Sequence, residues 1–193
     1  MKYKPASTLH SVAEHFHRDA IDFAERFDLL WENSNLMHKM GRTKSFVDLL
    51  MGCECSLKSH ALLSIAGHSP SEVYRRVRSC GHNIEKLACL AAFLPDRTAY
   101  EHLANDLKEL PVHIRYSLDA YETFFPTFID QESANQNYSA TIGNNRWVLQ
   151  IRETLHLLNS AMTEEFRGDI STNLEQIIQQ ETEFRVFANE CLK

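Results

Sequence analysis

The sequence predicts an all-α protein built as an antiparallel helical bundle, and three observations support this fold class. Successive segments place their apolar residues three or four positions apart, which aligns them along one face of a helix. No alternating apolar and polar run of useful length indicates a strand. The 193 residues include only six glycines and five prolines, fewer than an all-β protein with many tight turns requires. The composition, 44% hydrophobic and 24% charged, is typical of a folded protein with one core.

Two long helices are predicted in the first third of the chain. The first extends from Ser7 to Glu32. Its apolar residues recur at steps of three or four: Leu9, Val12, Phe16, Ala20, Phe23, Phe27 and Leu30. A second apolar pattern extends from Phe46 to Ile65, and Gly67 ends it, so we expect a long central helix. Within it Glu54 precedes Lys58 by four residues, the spacing of a weak helical ion pair.

Shorter helices are predicted in the middle of the chain. The stretch Ser69-Pro-Ser-Glu72 has the pattern of a capping box with proline at the first helical position, and it opens a helix that Gly81 breaks. The helical pattern resumes over residues 82–94. A further helix is predicted over residues 100–110. Residues 112–124 are predicted to be either helical or a looser turn.

The chain is predicted to have three parts that share one core. Residues 1–125 form the helical bundle, residues 126–146 form a loop, and residues 147–193 form a C-terminal helical pair that packs on the same bundle. The stretch 131–145 is polar and aperiodic. We interpret it as a surface loop or a mobile lid.

Charge and cysteine content restrict the compartment and the partners. The net charge of −6 does not favour nucleic acid, so contact with phosphate requires a local basic patch. The sequence has no secretory signal and no run of about 18 apolar residues, so we expect a cytoplasmic protein without a membrane partner. Five cysteines, an odd number, indicate reduced thiols. Cys53 and Cys55 are expected in the core, because residues two apart on a helix point about 200° apart and cannot bind one metal ion.

The sequence motifs of several common enzyme classes are absent. There is no phosphate-binding P-loop, no dinucleotide-binding glycine pattern, no zinc-protease motif and no serine-hydrolase elbow. Of the ten histidines, His10, His15 and His17 crowd the first helix and are predicted to be solvent-exposed. We therefore expect neither a bound metal nor a cofactor.

One basic stretch has the composition of a phosphate site. Arg75, Arg76 and Arg78 are followed by His82 at the start of the next helix. In RNA cleavage, such a histidine accepts the 2′-hydroxyl proton or protonates the leaving oxygen, while an arginine stabilises the phosphorane. The alternative is structural: His82 caps the next helix, and the arginines form a solvated face paired with Glu72 and with other carboxylates.

Three elements, taken in order, resemble those of the HEPN domain family. They are Cys-Glu-Cys-Ser-Leu-Lys-Ser-His at 53–60, Gly-His-Asn-Ile-Glu-Lys-Leu at 81–87 and Ile-Arg-Tyr-Ser at 114–117. The resemblance spans Thr8 to Phe125 and depends on the order and spacing of the elements. It implies a compact helical bundle, often dimeric, of the kind found in prokaryotic defence, toxin–antitoxin and nucleotidyltransferase-associated proteins. Many members are ribonucleases whose active site carries Arg-x(4–6)-His, doubled across a dimer.

The resemblance also implies specific site residues. The Arg-x(4–6)-His spacing fits Arg76 and His82 as catalytic residues, and Arg75 fits it as well. The implied ligand-binding residues are Lys58, Arg75, Arg115 and Tyr116. The implied partners are a second copy of the chain, a nucleotide or RNA, and a protein such as a nucleotidyltransferase or an antitoxin. The alternative function is a non-catalytic helical dimerisation or interaction module.

Overall fold

The computed structural model describes residues 7–32, 38–124, 137–167 and 173–191, and within these ranges every regular element is a helix. The α-helices are α1 (Thr8–Trp31), α2 (Lys39–Ser64), α3 (Pro70–Ser79), α4 (Ile84–Leu90), α5 (Thr98–Leu107), α6 (Ser117–Phe124), α7 (Asn145–Phe166) and α8 (Leu174–Cys191). The predicted all-α fold class is confirmed. In these same ranges, no helix combines the length and the apolar character needed to cross a bilayer.

The two long helices, α1 and α2, pack antiparallel, and their contact is the most extensive between any two described helices. Ser59 Oγ donates a hydrogen bond to the Ala13 carbonyl at 2.7 Å. A Cβ atom at Gly52 would lie 3.4 Å from the Ala20 carbonyl oxygen and 2.9 Å from the Leu155 side chain. Because a larger residue would clash there, Gly52 allows α1, α2 and α7 to approach closely at the centre of the bundle.

The second helix begins at Lys39, earlier than the apolar pattern from Phe46 predicts. Its first turns contain the buried polar residues Thr43 and Ser45. Their hydroxyls donate to backbone carbonyls one turn back, those of Lys39 at 2.9 Å and Gly41 at 3.0 Å. Because these polar groups are satisfied by the helix itself, the turns are buried although they interrupt the apolar pattern.

Residues 137–144 form a turn that is anchored to the core. Ile142 is fully buried, and Arg42 of α2 donates to its carbonyl at 2.8 Å and to Asn145 Oδ1 at 2.7 Å. This part of the predicted loop is therefore fastened to α2 and is not a mobile lid. Helix α7 begins at Asn145, two residues before the predicted C-terminal part. The residues of the predicted loop that precede 137 lie outside the described ranges.

The start of α3 and the break before α4 follow the helix start and stop signals predicted from the sequence, but the cap of α4 differs. The capping box at residues 69–72 is confirmed, with both reciprocal hydrogen bonds present. Gly81 has φ +56°, which favours glycine, and it breaks the helical path as predicted. However, α4 is capped by Asn83, whose Oδ1 accepts from the Lys86 N–H at 2.8 Å. The prediction that His82 caps this helix is wrong.

The segment after α4 contains two short elements where the sequence left helix and turn as alternatives. Helix α5 ends at Leu107, earlier than the predicted 110, and a turn leads to Pro111. A 3-10 helix follows at Val112–Arg115, with Ile114 fully buried, and it leads directly into α6. The chain therefore bends tightly around one buried side chain instead of continuing a single helix.

The last two helices pack on different parts of the bundle. Helix α7 lies against α1, α2 and α5, whereas α8 lies against α3 and α1 and buries Phe187. At the end of α8, Arg75 Nη2 donates to the Glu190 carbonyl at 3.3 Å, and Arg78 Nη1 donates to the Cys191 carbonyl at 3.2 Å. Two arginines of the basic stretch thus satisfy carbonyls that a helix C-terminus leaves without partners.

Two histidines lie inside the protein. His17, predicted to be exposed, is buried, and its Nε2 lies 3.0 Å from Thr163 Oγ1. His60 is fully buried, with Nδ1 2.7 Å from the Tyr100 hydroxyl and Nε2 3.1 Å from the Leu158 carbonyl. Burial lowers the pKa of His60 to about 4, and it also lowers the pKa of His17. Both rings are therefore neutral core residues at pH 7.

The cysteines have the environment that the sequence predicts for them. Cys53 and Cys55 are buried, and all five cysteines are free thiols. Burial raises the pKa of Cys55 to about 12 and also raises the pKa of Cys53. These two thiols are therefore protonated, unreactive components of the core.

Candidate functional site

Glu54 is a buried carboxylate that joins Lys58 to His82. Its side chain is 1% exposed. Oε1 accepts a hydrogen bond from Lys58 Nζ at 2.6 Å, one turn along α2, and Oε2 lies 2.7 Å from His82 Nδ1 in the turn before α4. A buried carboxylate requires such partners, because burial without them is costly. We call these three residues the Glu54 cluster.

The contact with Glu54 determines which nitrogen of His82 faces outward. A carboxylate only accepts hydrogen bonds, so Nδ1 carries a hydrogen and donates it to Glu54 Oε2. In the neutral ring, Nε2 is then the unprotonated nitrogen. The His82 side chain is 63% exposed, and no protein partner of Nε2 is found among the described residues. A carboxylate that orients an imidazole in this way is a common arrangement for general acid–base catalysis.

A cavity of about 490 Å³ opens beside His82. Its lining comes from Met51 of α2, from the turn before α4, and from the chain between the end of α5 and the end of the 3-10 helix. Lys108, His113 and Arg115 contribute basic side chains to this lining, against the single acid Glu109. The cavity is therefore locally basic although the whole chain is acidic, and it favours an anionic ligand.

Arg115 and Tyr116 form a stacked pair next to the cavity. The Arg115 guanidinium lies 4.8 Å from the centre of the Tyr116 ring, and its Nη2 donates to the tyrosine hydroxyl at 2.9 Å. Tyr116 is exposed. Because the tyrosine supports the guanidinium, the pair presents an ordered cation and a flat aromatic face to solvent.

The arginines of α3 are exposed, as the solvated-face alternative predicts. Hydrogen bonds from Ser69 lower the pKa of Glu72, and the charge of Arg75 lowers it further. In addition, Arg75 and Arg78 donate to carbonyls at the end of α8. Arg76 is exposed, and the described part of the chain offers its guanidinium no hydrogen bond or ion pair. Of the three, Arg76 is the one whose charge is open to a ligand.

The thiol of Cys80 is influenced both by Arg76 of α3 and by Lys58 of the Glu54 cluster. Burial raises the pKa of the Cys80 thiol, while the charges of Lys86, Lys58 and Arg76 oppose that rise. Each of these cations is therefore close enough to Cys80 to act on the charge of its thiolate. The structure joins Lys58 to His82 through Glu54 and places Arg115 at the same cavity as His82. Arg76 is not among the described residues that line this cavity, and Arg75 is bonded to α8.

The sequence did not reveal Glu54 as the partner of His82. The residue was recognised only as half of a helical pair with Lys58, and its other contact comes from a segment 28 residues later. One signal was available. Glu54 lies between two cysteines that were assigned to the core, so its carboxylate had to be close to buried surface and needed a partner there.

No described group of three or more histidine, cysteine, aspartate or glutamate side chains is arranged to hold a metal ion. Comparisons with protein families, with curated proteins and with solved structures find no match to this chain. The Glu54 cluster and its cavity are therefore the features of the molecule that point to a function.

Proposed function

We propose that the protein binds a phosphate-bearing ligand, a nucleotide or RNA, in the cavity beside His82, and that it cleaves RNA there without a metal ion. The observation that carries this proposal is the 2.7 Å contact between Glu54 and His82 Nδ1, which leaves Nε2 as the nitrogen available for proton transfer. His82 lines the same basic cavity as Arg115 and His113. A positioned base beside cations suits phosphoryl transfer.

In the proposed reaction, His82 Nε2 accepts the proton of a ribose 2′-hydroxyl, and the 2′ oxygen attacks the adjacent phosphorus. The bond from phosphorus to the 5′ oxygen breaks, giving a 2′,3′-cyclic phosphate. His113, in its protonated form, supplies the proton that the leaving oxygen needs. Arg115 and Arg76 stabilise the charge on the phosphorane. Glu54 acts as a positioning residue because it holds the imidazole, and Lys58 acts through Glu54, whose other carboxylate oxygen it binds.

The wider biological assignment is part of the same proposal. The order and spacing of the three motifs support a HEPN-like protein, acting as a homodimer with a nucleotidyltransferase or an antitoxin as partner. Five free thiols support a reducing compartment such as the cytoplasm.

A second candidate function, a non-catalytic interaction module, is favoured by the surface of α8. Leu174, Ile177 and Ile178 are exposed at its beginning, at a spacing that puts them on one side of the helix. Exposed apolar residues grouped in this way are typical of protein interfaces. In this alternative, the Glu54 cluster stabilises the fold and binds no ligand.

The test is incubation of the purified protein with labelled single-stranded and structured RNA in EDTA. We compare wild type with His82→Ala, Arg76→Ala and Arg115→Ala. His68→Ala is the matched control, because His68 is an exposed histidine on the loop before α3. The proposal predicts cleavage by wild type and by the control, and its loss in His82→Ala with little change in thermal midpoint.

Three results would decide against catalysis by His82. If wild-type protein neither binds nor cleaves RNA, whether alone or mixed with nucleotides, the interaction module becomes the better description. If cleavage survives in His82→Ala, the site lies elsewhere. A fall in thermal midpoint for His82→Ala without any change in RNA would assign the imidazole a structural role.

A further inference from the structure

A second imidazole–carboxylate pair lies at the interface of α5 and α7. His102 Nε2 lies 2.7 Å from Asp106 Oδ2, and His102 Nδ1 lies 2.8 Å from Thr154 Oγ1. We propose that Asp106, His102 and Thr154 form a separate hydrolytic site, with the threonine hydroxyl as nucleophile and small acyl esters as substrates. The arrangement has the hydrogen-bond order of a carboxylate, an imidazole and a hydroxyl that hydrolases on unrelated folds share.

The proton positions follow from the hydrogen-bond partners. Because the Asp106 carboxylate only accepts, His102 Nε2 carries a hydrogen and donates it. Nδ1 of the neutral ring is then an acceptor, and Thr154 is the donor that faces it. The Gln150 carbonyl, 2.9 Å from Thr154 Oγ1, is the competing acceptor. When the hydroxyl donates to the ring, its oxygen is activated as a nucleophile.

A cavity of about 360 Å³ adjoins these groups and is large enough for a small ester. Thr154 and His102 both line it, so the nucleophile and the base face the same space. Leu94, Ala99 and Leu157 provide the apolar part of the lining. These side chains suit the acyl group of a substrate, while the reacting carbonyl lies against the threonine.

The beginning of α5 offers a donor for the oxyanion. Thr98 and Ala99 line the cavity, and the Thr98 N–H is occupied by Asp96 Oδ1 at 2.9 Å. The N–H of Ala99, the next residue and also part of the lining, has no carbonyl within the helix to bond, because it belongs to the first turn. Such N–H groups stabilise the negative oxygen that forms when a nucleophile attacks a carbonyl.

The charge of this cavity narrows the class of substrate. Asp96 and Glu153 line it, and Asp106 holds the histidine beside it. No lysine or arginine is among its described lining residues. Neutral and cationic esters are therefore favoured and anionic ones disfavoured, the opposite of the preference at the His82 cavity.

The reaction proceeds in two balanced steps. In the first, the Thr154 hydroxyl oxygen forms a bond to the substrate carbonyl carbon, its proton passes to His102 Nδ1, and the alcohol leaves with that proton. In the second, water gives a proton to His102, attacks the acyl-threonine, and releases the carboxylic acid as the hydroxyl of Thr154 is restored. The overall change is ester plus water to acid plus alcohol, and no other reagent is needed.

The experiment uses 4-nitrophenyl acetate with the full chain, measuring nitrophenol release and mapping the acetyl adduct by mass spectrometry. Thr154→Val keeps the shape of the side chain but removes the hydroxyl, and Thr154→Ser keeps the hydroxyl. We expect an acetyl adduct on residue 154 and nitrophenol release in wild type and Thr154→Ser. Nitrophenol release by Thr154→Val and by His102→Gln should fall to the background rate, which is measured with heat-denatured His68→Ala protein.

Several outcomes would overturn the inference. An adduct found only on lysine, cysteine or other histidine side chains would show nonspecific acylation. Release by Thr154→Val at the wild-type rate would exclude its hydroxyl. A lower thermal midpoint in Thr154→Val without a change in release would make the three residues a structural contact between α5 and α7. His82→Ala leaves the residues of this site in place, so this variant should keep ester hydrolysis while losing RNA cleavage. Measuring both reactions therefore distinguishes failure of this proposal from failure of the RNA proposal.

Discussion

The protein orients two imidazoles with carboxylates in two different ways. Glu54 reaches His82 from another helix, is 1% exposed, and also binds Lys58. Asp106 reaches His102 from one turn along the same helix and is 28% exposed. The first contact therefore ties the candidate RNA site to the core, whereas the second depends mainly on α5 and on a single contact with α7.

The difference has an energetic consequence. A buried ion pair depends on both partners, because removing one leaves an uncompensated charge in a poorly solvated place. An exposed pair on one helix contributes little, because water screens it. We therefore expect substitution of the buried Glu54 to affect stability and activity together, and substitution of the more exposed His82 or Asp106 to affect activity alone.

The largest effect is expected for Glu54→Gln. The substitution leaves the charge of Lys58, which is 15% exposed, without its partner, and should lower the free energy of unfolding by about 3 kcal/mol or more. Urea denaturation at pH 7 measures this. Adding Lys58→Met should restore most of the loss, since no unpaired charge is left. A loss below about 1 kcal/mol would show that the pair behaves as an exposed one.

A third imidazole, His60, extends the comparison because it is buried without a carboxylate. Its pKa is about 4 in the folded state and 6.5 in the reference state, so the unfolded chain takes up a proton first as the pH falls. Its contribution to stability is present above about pH 6.5 and is lost towards pH 4, by about 3 kcal/mol in total. Unfolding measured from pH 7.5 to 4.5 should show this loss, and His60→Gln should have a shallower pH dependence. Parallel curves for the two proteins would contradict the assignment.

An intermediate effect is expected at two glycines with positive φ. Gly81 has φ +56° and Gly67 has φ +79°, and a Cβ atom would meet nothing within 4 Å at either position. Each glycine-to-alanine substitution should therefore lower stability by about 1 kcal/mol through backbone strain alone. Only Gly81→Ala should also reduce RNA cleavage, because it directly precedes His82. If the two variants cleave RNA equally, the conformation of the turn at Gly81 does not affect the site at His82.

The smallest effect on stability is expected for Asp106→Asn. The exposed pair contributes less than about 1 kcal/mol, so the denaturation midpoint should be close to that of wild type. Ester hydrolysis should nevertheless fall, because the amide no longer fixes the protonation of His102 Nε2. A large loss of stability with unchanged ester hydrolysis would show that the pair of Asp106 and His102 has a structural role and no catalytic one.

Local signals predicted several of the helical boundaries. Ser7 precedes α1 as its cap, the box at residues 69–72 opens α3, and Gly81 breaks the chain before α4. The start of α2 and the burial of His17 were not predicted, because the Thr43 hydroxyl and His17 Nε2 have hydrogen-bond partners that periodicity does not detect. The capping role given to His82 failed for a related reason: Asn83 offered the N-terminal N–H groups a better acceptor.

The sequence alone determined the all-α fold class and the ends of several helices, because those depend on apolar spacing and on residues within one turn of each other. The tertiary structure decided that Glu54 orients His82 and that the segment from Leu107 to Arg115 closes a basic cavity beside it. Apolar spacing shows which face of a helix is buried. It does not show which distant side chain supplies the hydrogen bond that a buried carboxylate on that face requires.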